Sequence, residues 1–209
     1  MKLSGSDIVE CLLEQGADTI FGYPGGAVLN IYDSLYKYSD KIRHVITCHE
    51  QGACHAADGY ARSTGKTGIV LATSGPGATN LVSGIADAYM DSIPTVFITG
   101  QVPSSMNGKN VFQETDIIGV TRPIVKHSFL VLDANDIPRI MREAFYIAQS
   151  GRPGPVVVDI PKNVQQQKCK VDFDQAPELK YYHPDPALDP AAVGKIKAMI
   201  AASKRPCIY

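Results

Sequence analysis

Apolar, β-branched runs alternate with helix-period segments from the start of the chain to about residue 160, and this alternation restricts the fold more than any other feature. Thr19-Ile20-Phe21, Val45-Ile46-Thr47, Ile69-Val70-Leu71-Ala72, Thr95-Val96-Phe97-Ile98 and Val156-Val157-Val158-Asp159-Ile160 read as strands, with a further one near Val125. These runs are continuously apolar, not alternating, so they require cover on both faces of the sheet. The expected fold is α/β: a doubly wound, mostly parallel sheet with helices on both faces. Spacing does not reveal the strand order.

The helices between the strands carry their own punctuation. Ser6 is placed to cap a helix that turns Ile8, Val9, Leu12 and Leu13 inward and stops at Gly16. Val28, Ile31, Tyr32 and Leu35 mark a second helix, and a third runs from Glu50 to about Gly65. One helix is expected from the Gly75-Pro76-Gly77 turn to about Met90, and another over 135–149. Residues 100–121 are polar and loop-rich; a loop of that length inside a domain is more often functional than incidental.

Residues 1–164 are therefore expected to form the main domain. Residues 165–187, with Gln165-Gln166-Gln167, Pro177, Pro184 and Pro186, read as a surface linker. Residues 188–209 read as the truncated start of another domain, with a helix opening at Asp189-Pro190 and a strand approached through Arg205-Pro206-Cys207-Ile208-Tyr209. One helix and a strand entry cannot bury a core alone, which implies the front part of a longer protein.

Charge and cysteine content narrow the function classes. Twenty basic residues face 21 acidic ones, for a net charge of −1, and the signs are mixed; no nucleic-acid surface is indicated. No apolar run approaches the ~20 residues of a membrane span, and Met1-Lys2-Leu3-Ser4-Gly5 lacks the apolar stretch of a signal peptide. Five irregularly spaced cysteines fit reduced thiols in the cytoplasm. Cys48-His49 and Cys54-His55 do not have the spacing of a zinc knuckle or an HExxH helix, so no metal ligand is assigned.

The chemistry concentrates at two turns. His49-Glu50-Gln51-Gly52-Ala53 sets a carboxylate at the start of a helix, followed by small residues that let a bulky partner approach. Ser74-Gly75-Pro76-Gly77-Ala78-Thr79-Asn80 opens the next helix with exposed backbone N–H groups. Both follow strands, so both should open on one edge of the sheet, where α/β domains hold cofactors. The glycine turn is neither a P-loop nor GxGxxG, which disfavours a nicotinamide oxidoreductase. Gly25-Gly26 is a second place where backbone could meet a ligand, and Phe112-Gln113-Glu114 offers an aromatic wall and an amide.

Six motifs in order carry a family resemblance: Tyr23-Pro24-Gly25-Gly26-Ala27, the Glu50 and Gly75 motifs, Gly100-Gln101-Val102-Pro103, Phe112-Gln113-Glu114 and Ser150-Gly151-Arg152-Pro153-Gly154-Pro155. Together they resemble the N-terminal, pyrimidine-binding domain of thiamine-diphosphate enzymes, specifically the catalytic subunits of the acetolactate (acetohydroxyacid) synthases. The resemblance implies a transferase of branched-chain amino-acid biosynthesis. It would decarboxylate pyruvate on thiamine diphosphate and join the two-carbon unit to pyruvate or 2-oxobutanoate, giving 2-acetolactate or 2-aceto-2-hydroxybutanoate.

By the same resemblance Glu50 would hydrogen-bond N1′ of the aminopyrimidine. Pro24, Gly25 and Gly26 would lie near the reacting centre, and Gly75 and Asn80 would shape the pyrimidine pocket. Gln113 would place the substrate, with Phe112 beside it, while Ala27, Pro103 and Lys162 match channel positions where inhibitors bind. The family also implies Mg²⁺ on a C-terminal domain, FAD mainly on a central domain, a homodimer that shares its active sites, and a small regulatory subunit. No Gly-Asp-Gly motif for the diphosphate occurs in these 209 residues, so this piece alone is expected to be inactive. Asp58, Cys54 and Asn107-Gly108-Lys109-Asn110-Val111 depart from common family patterns. The alternatives are another thiamine-diphosphate decarboxylase or carboligase, or a non-catalytic module of the same fold.

Overall fold

The computed structural model describes residues 2–4, 8–170, 179, 182–184 and 187–207. The expected Ser6 cap, part of the expected linker, and Ile208-Tyr209 of the expected strand lie outside the described residues. In chain order the elements are β1 (Lys2–Ser4), α1 (Ile8–Glu14), β2 (Thr19–Gly22), α2 (Leu29–Lys37), β3 (Arg43–Ile46), α3 (Glu50–Thr64), β4 (Gly68–Ala72) and α4 (Pro76–Thr79). They continue with α5 (Val82–Met90), β5 (Thr95–Gln101), α6 (Ile117–Thr121), β6 (His127–Leu130), α7 (Ile137–Gln149), β7 (Pro155–Pro161), β8 (Lys168–Lys170) and α8 (Pro190–Ala202).

Six strands form one parallel sheet in the order β3-β2-β4-β5-β7-β6. Every residue of β4, β5 and β7 is buried, as their unbroken apolar runs require. Side chains of alternate parity divide between two cores. Ile69, Leu71, Val96, Ile98, Val156 and Val158 pack with residues of α1, α2 and α7 on one face. Val70, Ala72, Phe97 and Val157 pack with α3 and α5 on the other. The helices meet these faces with the positions expected from period: Ile31 and Leu35 of α2, and Ile137, Ile140, Met141, Ala144 and Ile147 of α7 are buried.

Several boundaries differ from the expectation. The single helix anticipated from the Gly75 turn to Met90 is two, α4 and α5, separated at Asn80-Leu81. The strand near Val125 begins at His127, because Val125 follows a short turn through Arg122–Ile124. The polar stretch after β5 contains α6, capped by the Asp116 carboxylate on the Gly119 N–H. The start of the expected linker is tied to the main body: Val164 and Gln165 are fully buried, and β8 pairs antiparallel with β1, Leu3 opposite Cys169. The helix expected at Asp189-Pro190 forms as α8, with the Asp189 carboxylate accepting the Ala191 N–H, and buries none of its residues. No disulfide forms among the described residues; Cys48 and Cys207 are exposed, whereas Cys11, Cys54 and Cys169 are buried. Among the described residues no helix is long and apolar enough to cross a membrane.

Candidate functional site

β2 and β4 lie side by side, but the chain leaves them toward opposite faces: α2 packs in one core and α5 in the other. A crevice opens at the carboxyl ends of two strands whose connections part in this way. The loops that line it are pressed together. Tyr23 N–H donates to the Leu71 carbonyl at 3.3 Å and Ala27 N–H to Thr73 Oγ1 at 3.1 Å. A Cβ on Gly22 would lie 2.3 Å from the Leu71 carbonyl oxygen, and one on Gly25 only 2.5 Å from the Thr73 side chain. Glycine at both positions is what permits that approach. Gly26 has open space beside it, and Pro24 is half-buried.

α3 enters the same edge from β3. His49 is extended (φ −157°, ψ 144°) and its Nδ1 accepts the Gln51 N–H at 3.1 Å, which satisfies one free donor of the helix start. Glu50 is thereby the first helical residue, where the helix dipole favours a carboxylate. Its side chain points inward and the residue is 8 % exposed. Oε2 accepts the Asn80 side-chain amide at 2.9 Å. Oε1 lies 3.3 Å from where a Cβ on Gly77 would stand, and no described residue donates a hydrogen bond to it. The carboxylate is thus held by one oxygen and open at the other, beside a turn stripped of side chains.

Gly75 (φ 58°, ψ −119°) shapes that turn, and the long loop after β5 folds onto it. A Cβ on Gly75 would be 2.7 Å from the Gln113 carbonyl oxygen and 2.8 Å from its Cα. Gln113 itself has φ 59°, unusual for a residue with a side chain. Glu114 winds the loop: its carboxylate accepts the Gly108 N–H and, at 3.0 Å, the Val111 N–H. Those backbone donors hold the half-buried Glu114 carboxyl below its ordinary range.

The sequence-derived residues therefore fall into groups. Glu50, Asn80, Gly75 and Gly25 are brought together through Gly77 and Thr73, and the Gln113 backbone covers Gly75. Phe112 is 87 % exposed and stands out from the buried cluster. Pro103 and Lys162 sit at the neighbouring ends of β5 and β7: the Lys162 N–H donates to the Gln101 carbonyl at 3.0 Å and the Ser104 N–H to Asn163 Oδ1 at 2.8 Å. Ala27 is buried, and its carbonyl accepts the Gln165 amide at 2.7 Å.

Thr73 was not singled out from sequence, yet its hydroxyl and methyl meet Ala27, Gly25 and Gly77. The only local signal is its place between an apolar strand and the Gly75 turn. The Cys-His pairs scatter: His49 caps α3, His55 lies 3.4 Å from Asp87, and Cys54 packs under α5, where burial pushes its thiol up to about 12. Among the described residues no group of three or more His, Cys, Asp or Glu could hold a metal.

Comparison with known proteins fits this geometry. The family described as "Thiamine pyrophosphate enzyme, N-terminal TPP binding domain" matches residues 4–120. "Acetolactate synthase 3, chloroplastic" of Brassica napus is 55% identical over 209 residues, covering 98% of this chain and 32% of that protein. "Acetolactate synthase" of Mycobacterium bovis is 53% identical, covering 100% of the chain and 34% of its own length. "Acetolactate synthase large subunit" of Buchnera aphidicola subsp. Schizaphis graminum is 51% identical over 210 residues, covering 99% and 37%. The chain spans about a third of the length of these curated relatives.

Proposed function

Because the chain belongs to the thiamine pyrophosphate enzymes, as their N-terminal TPP-binding domain, we propose that its crevice holds the aminopyrimidine of thiamine diphosphate and that the whole protein is an acetolactate synthase. The observation that carries the reading is the Glu50 carboxylate, with Oε2 fixed by Asn80 and Oε1 open beside Gly77. The glycines press the turns together around that carboxylate: a Cβ on Gly25 or Gly77 would collide with Thr73, and one on Gly75 with Gln113.

When bound, the cofactor supplies the nucleophilic carbon that decarboxylates a 2-oxo acid and passes the remainder to a second one. The residues of this chain set its proton state and surroundings. Glu50 Oε1 would be the group to hydrogen-bond N1′ of the pyrimidine, and Asn80 keeps the carboxylate from turning away. Gly25 and Gly26 lie near the reacting centre, with open space beside Gly26, and Gln113 places the 2-oxo acid. Phe112, Ala27, Pro103 and Lys162 line the approach. Pyruvate is the donor substrate, and pyruvate or 2-oxobutanoate the acceptor.

Residues 1–164 act as the pyrimidine-binding unit, 165–187 as the connection and 188–209 as the start of the next domain, within a homodimeric, cytoplasmic enzyme that carries Mg²⁺ and FAD on its other domains and can take a regulatory subunit. Residues 1–209 alone then form no acetolactate from pyruvate, cofactor and magnesium. The test is acetolactate formation by the full-length protein beside its Glu50→Gln variant. A loss of about 10²–10⁴-fold is expected, the range of a positioned acid–base group. Equal rates in the two proteins would overturn the reading.

A further inference from the structure

Asp159 is a buried carboxylate for which the proposed chemistry has no use. It sits in β7, opposite Thr99 of β5 on one side and Leu130 of β6 on the other. Oδ1 accepts the Thr99 hydroxyl at 2.6 Å and Oδ2 the Gln101 amide at 3.0 Å. The same Gln101 Nε2 donates to the Thr115 carbonyl at 2.9 Å, and Gln101 Oε1 accepts the Val102 N–H at 2.9 Å. Both Gln101 amide hydrogens are thus engaged, and the side chain links the end of β5 to the loop that ends at Thr115.

That loop is the one whose Gln113 backbone rests on Gly75. Its outer turn is wound on Glu114, and its inner end is fixed through Gln101. A cavity of about 280 Å³ lies between loop and sheet, with Asn107, Thr115, Asp116 and Asp159 in its wall. A loop lying over a cavity is not held in place by packing alone, so its polar anchors carry more of the work.

We propose that Asp159 is a positioning residue for the substrate-facing loop: acting through Gln101 it fixes Thr115, and with it the seat of Gln113 on Gly75. The proposal rests on the reading of that loop as the pyruvate side of the site. The hydrogen bonds from Thr99 and Gln101 favour the ionised carboxylate. Burial works against them and pushes the Asp159 carboxyl up to about 7, and Asp116 adds to the rise. The other charged group in the cavity wall is Glu114 in the loop; β5 carries none, and His127 lies at the far end of β6 from Leu130.

Asparagine at 159 is the informative change, since it has one acceptor where two donors converge. Hydrogen exchange of residues 107–115 in the full-length protein, corrected for intrinsic rates, reads the loop directly. In Asp159→Asn the loop exchanges at least about fivefold faster than in the parent. The KM for pyruvate rises about tenfold while the dissociation constant of thiamine diphosphate stays within about twofold. Loop protection equal to the parent's, or a loss of cofactor affinity as large as the rise in KM, overturns the proposal. Should the variant not fold, Gln101→Leu decides, since it removes the link from Asp159 to Thr115 and leaves Thr99 on Asp159: faster loop exchange than in the parent supports the anchor, and equal protection overturns it. A parent that makes no acetolactate would sink the functional reading, while the exchange measurement would still report on the loop.

Discussion

Asn80 donates its side-chain amide to Glu50 across 2.9 Å, joining the turn after β4 to the helix that follows β3. The contact fixes one carboxylate oxygen and leaves the other to a ligand. Asn80→Ala removes a hydrogen bond to an acidic group, an interaction of about 1.5–3 kcal/mol. Thiamine diphosphate should then bind the full-length protein roughly ten- to a hundredfold more weakly, measured by calorimetry. Affinity within about twofold of the parent would mean that Asn80 does not orient Glu50.

Gly75→Ala should do two kinds of damage. It puts a side chain at φ 58° and a Cβ 2.7 Å from the Gln113 carbonyl. Left-handed strain alone costs about 1–3 kcal/mol, and the collision moves the loop as well. The expected result is a lower unfolding midpoint in urea together with a raised KM for pyruvate. A variant with a parental KM would show that the loop contact is incidental.

Helices α3 and α5 are in contact through Gly84 and Cys54: a Cβ on Gly84 would lie 2.1 Å from the Cys54 Cβ. Gly84→Ala should therefore destabilise by about 1–3 kcal/mol through overpacking. Cys54→Gly in the same chain should return most of that loss, a coupling that a double-mutant cycle measures directly. Additive effects would argue against the contact.

The pH dependence of folding carries the mark of Asp159. Its carboxyl is raised from 3.8 to about 7, so between those values the folded chain holds a proton that the unfolded chain has lost. Stability from this group is least above pH about 7 and grows as pH falls toward about 4. Asp18 acts in a lower window: the hydrogen bond from Lys66 is the largest of the causes that lower it to about 2, so the stability it adds is present above its unfolded value of 3.8 and is lost as pH falls toward about 2. Comparing thermal unfolding of the parent and Asp159→Asn from about pH 8 to pH 5, the parent should gain relative to the variant as pH falls. A constant difference would mean that Asp159 titrates as it does in the unfolded chain.

How much of this was legible beforehand depends on whether a contact is local. Ile69-Val70-Leu71-Ala72 and Val156-Val157-Val158 were plain as strands because both their faces are buried, so every residue is apolar. β6 was placed too early because its edge position leaves a half-covered His127-Ser128-Phe129-Leu130 with no continuous apolar run. The β1–β8 pair joins residues more than 160 apart, and nothing in Lys168-Cys169-Lys170 announces its partner. Glu50 and Gly75 were visible as strand-to-helix turns, and the family resemblance supplied the remaining candidates. Thr73 beside Gly25, and Asp159 beside Gln101, are juxtapositions between strands, which a periodic pattern cannot encode.

Gln165 has a practical consequence for anyone trimming this domain. Its amide donates to the carbonyls of Ala27 and Ile160, at 2.7 and 2.8 Å, from four residues beyond the end of β7. A shortened chain that stops at Pro161 keeps all six strands of the main sheet yet leaves two inner carbonyls without their donor, one of them in the Gly25-Gly26 segment. The smallest piece that preserves the crevice is therefore set by a side chain, and not by the last rung of the ladder.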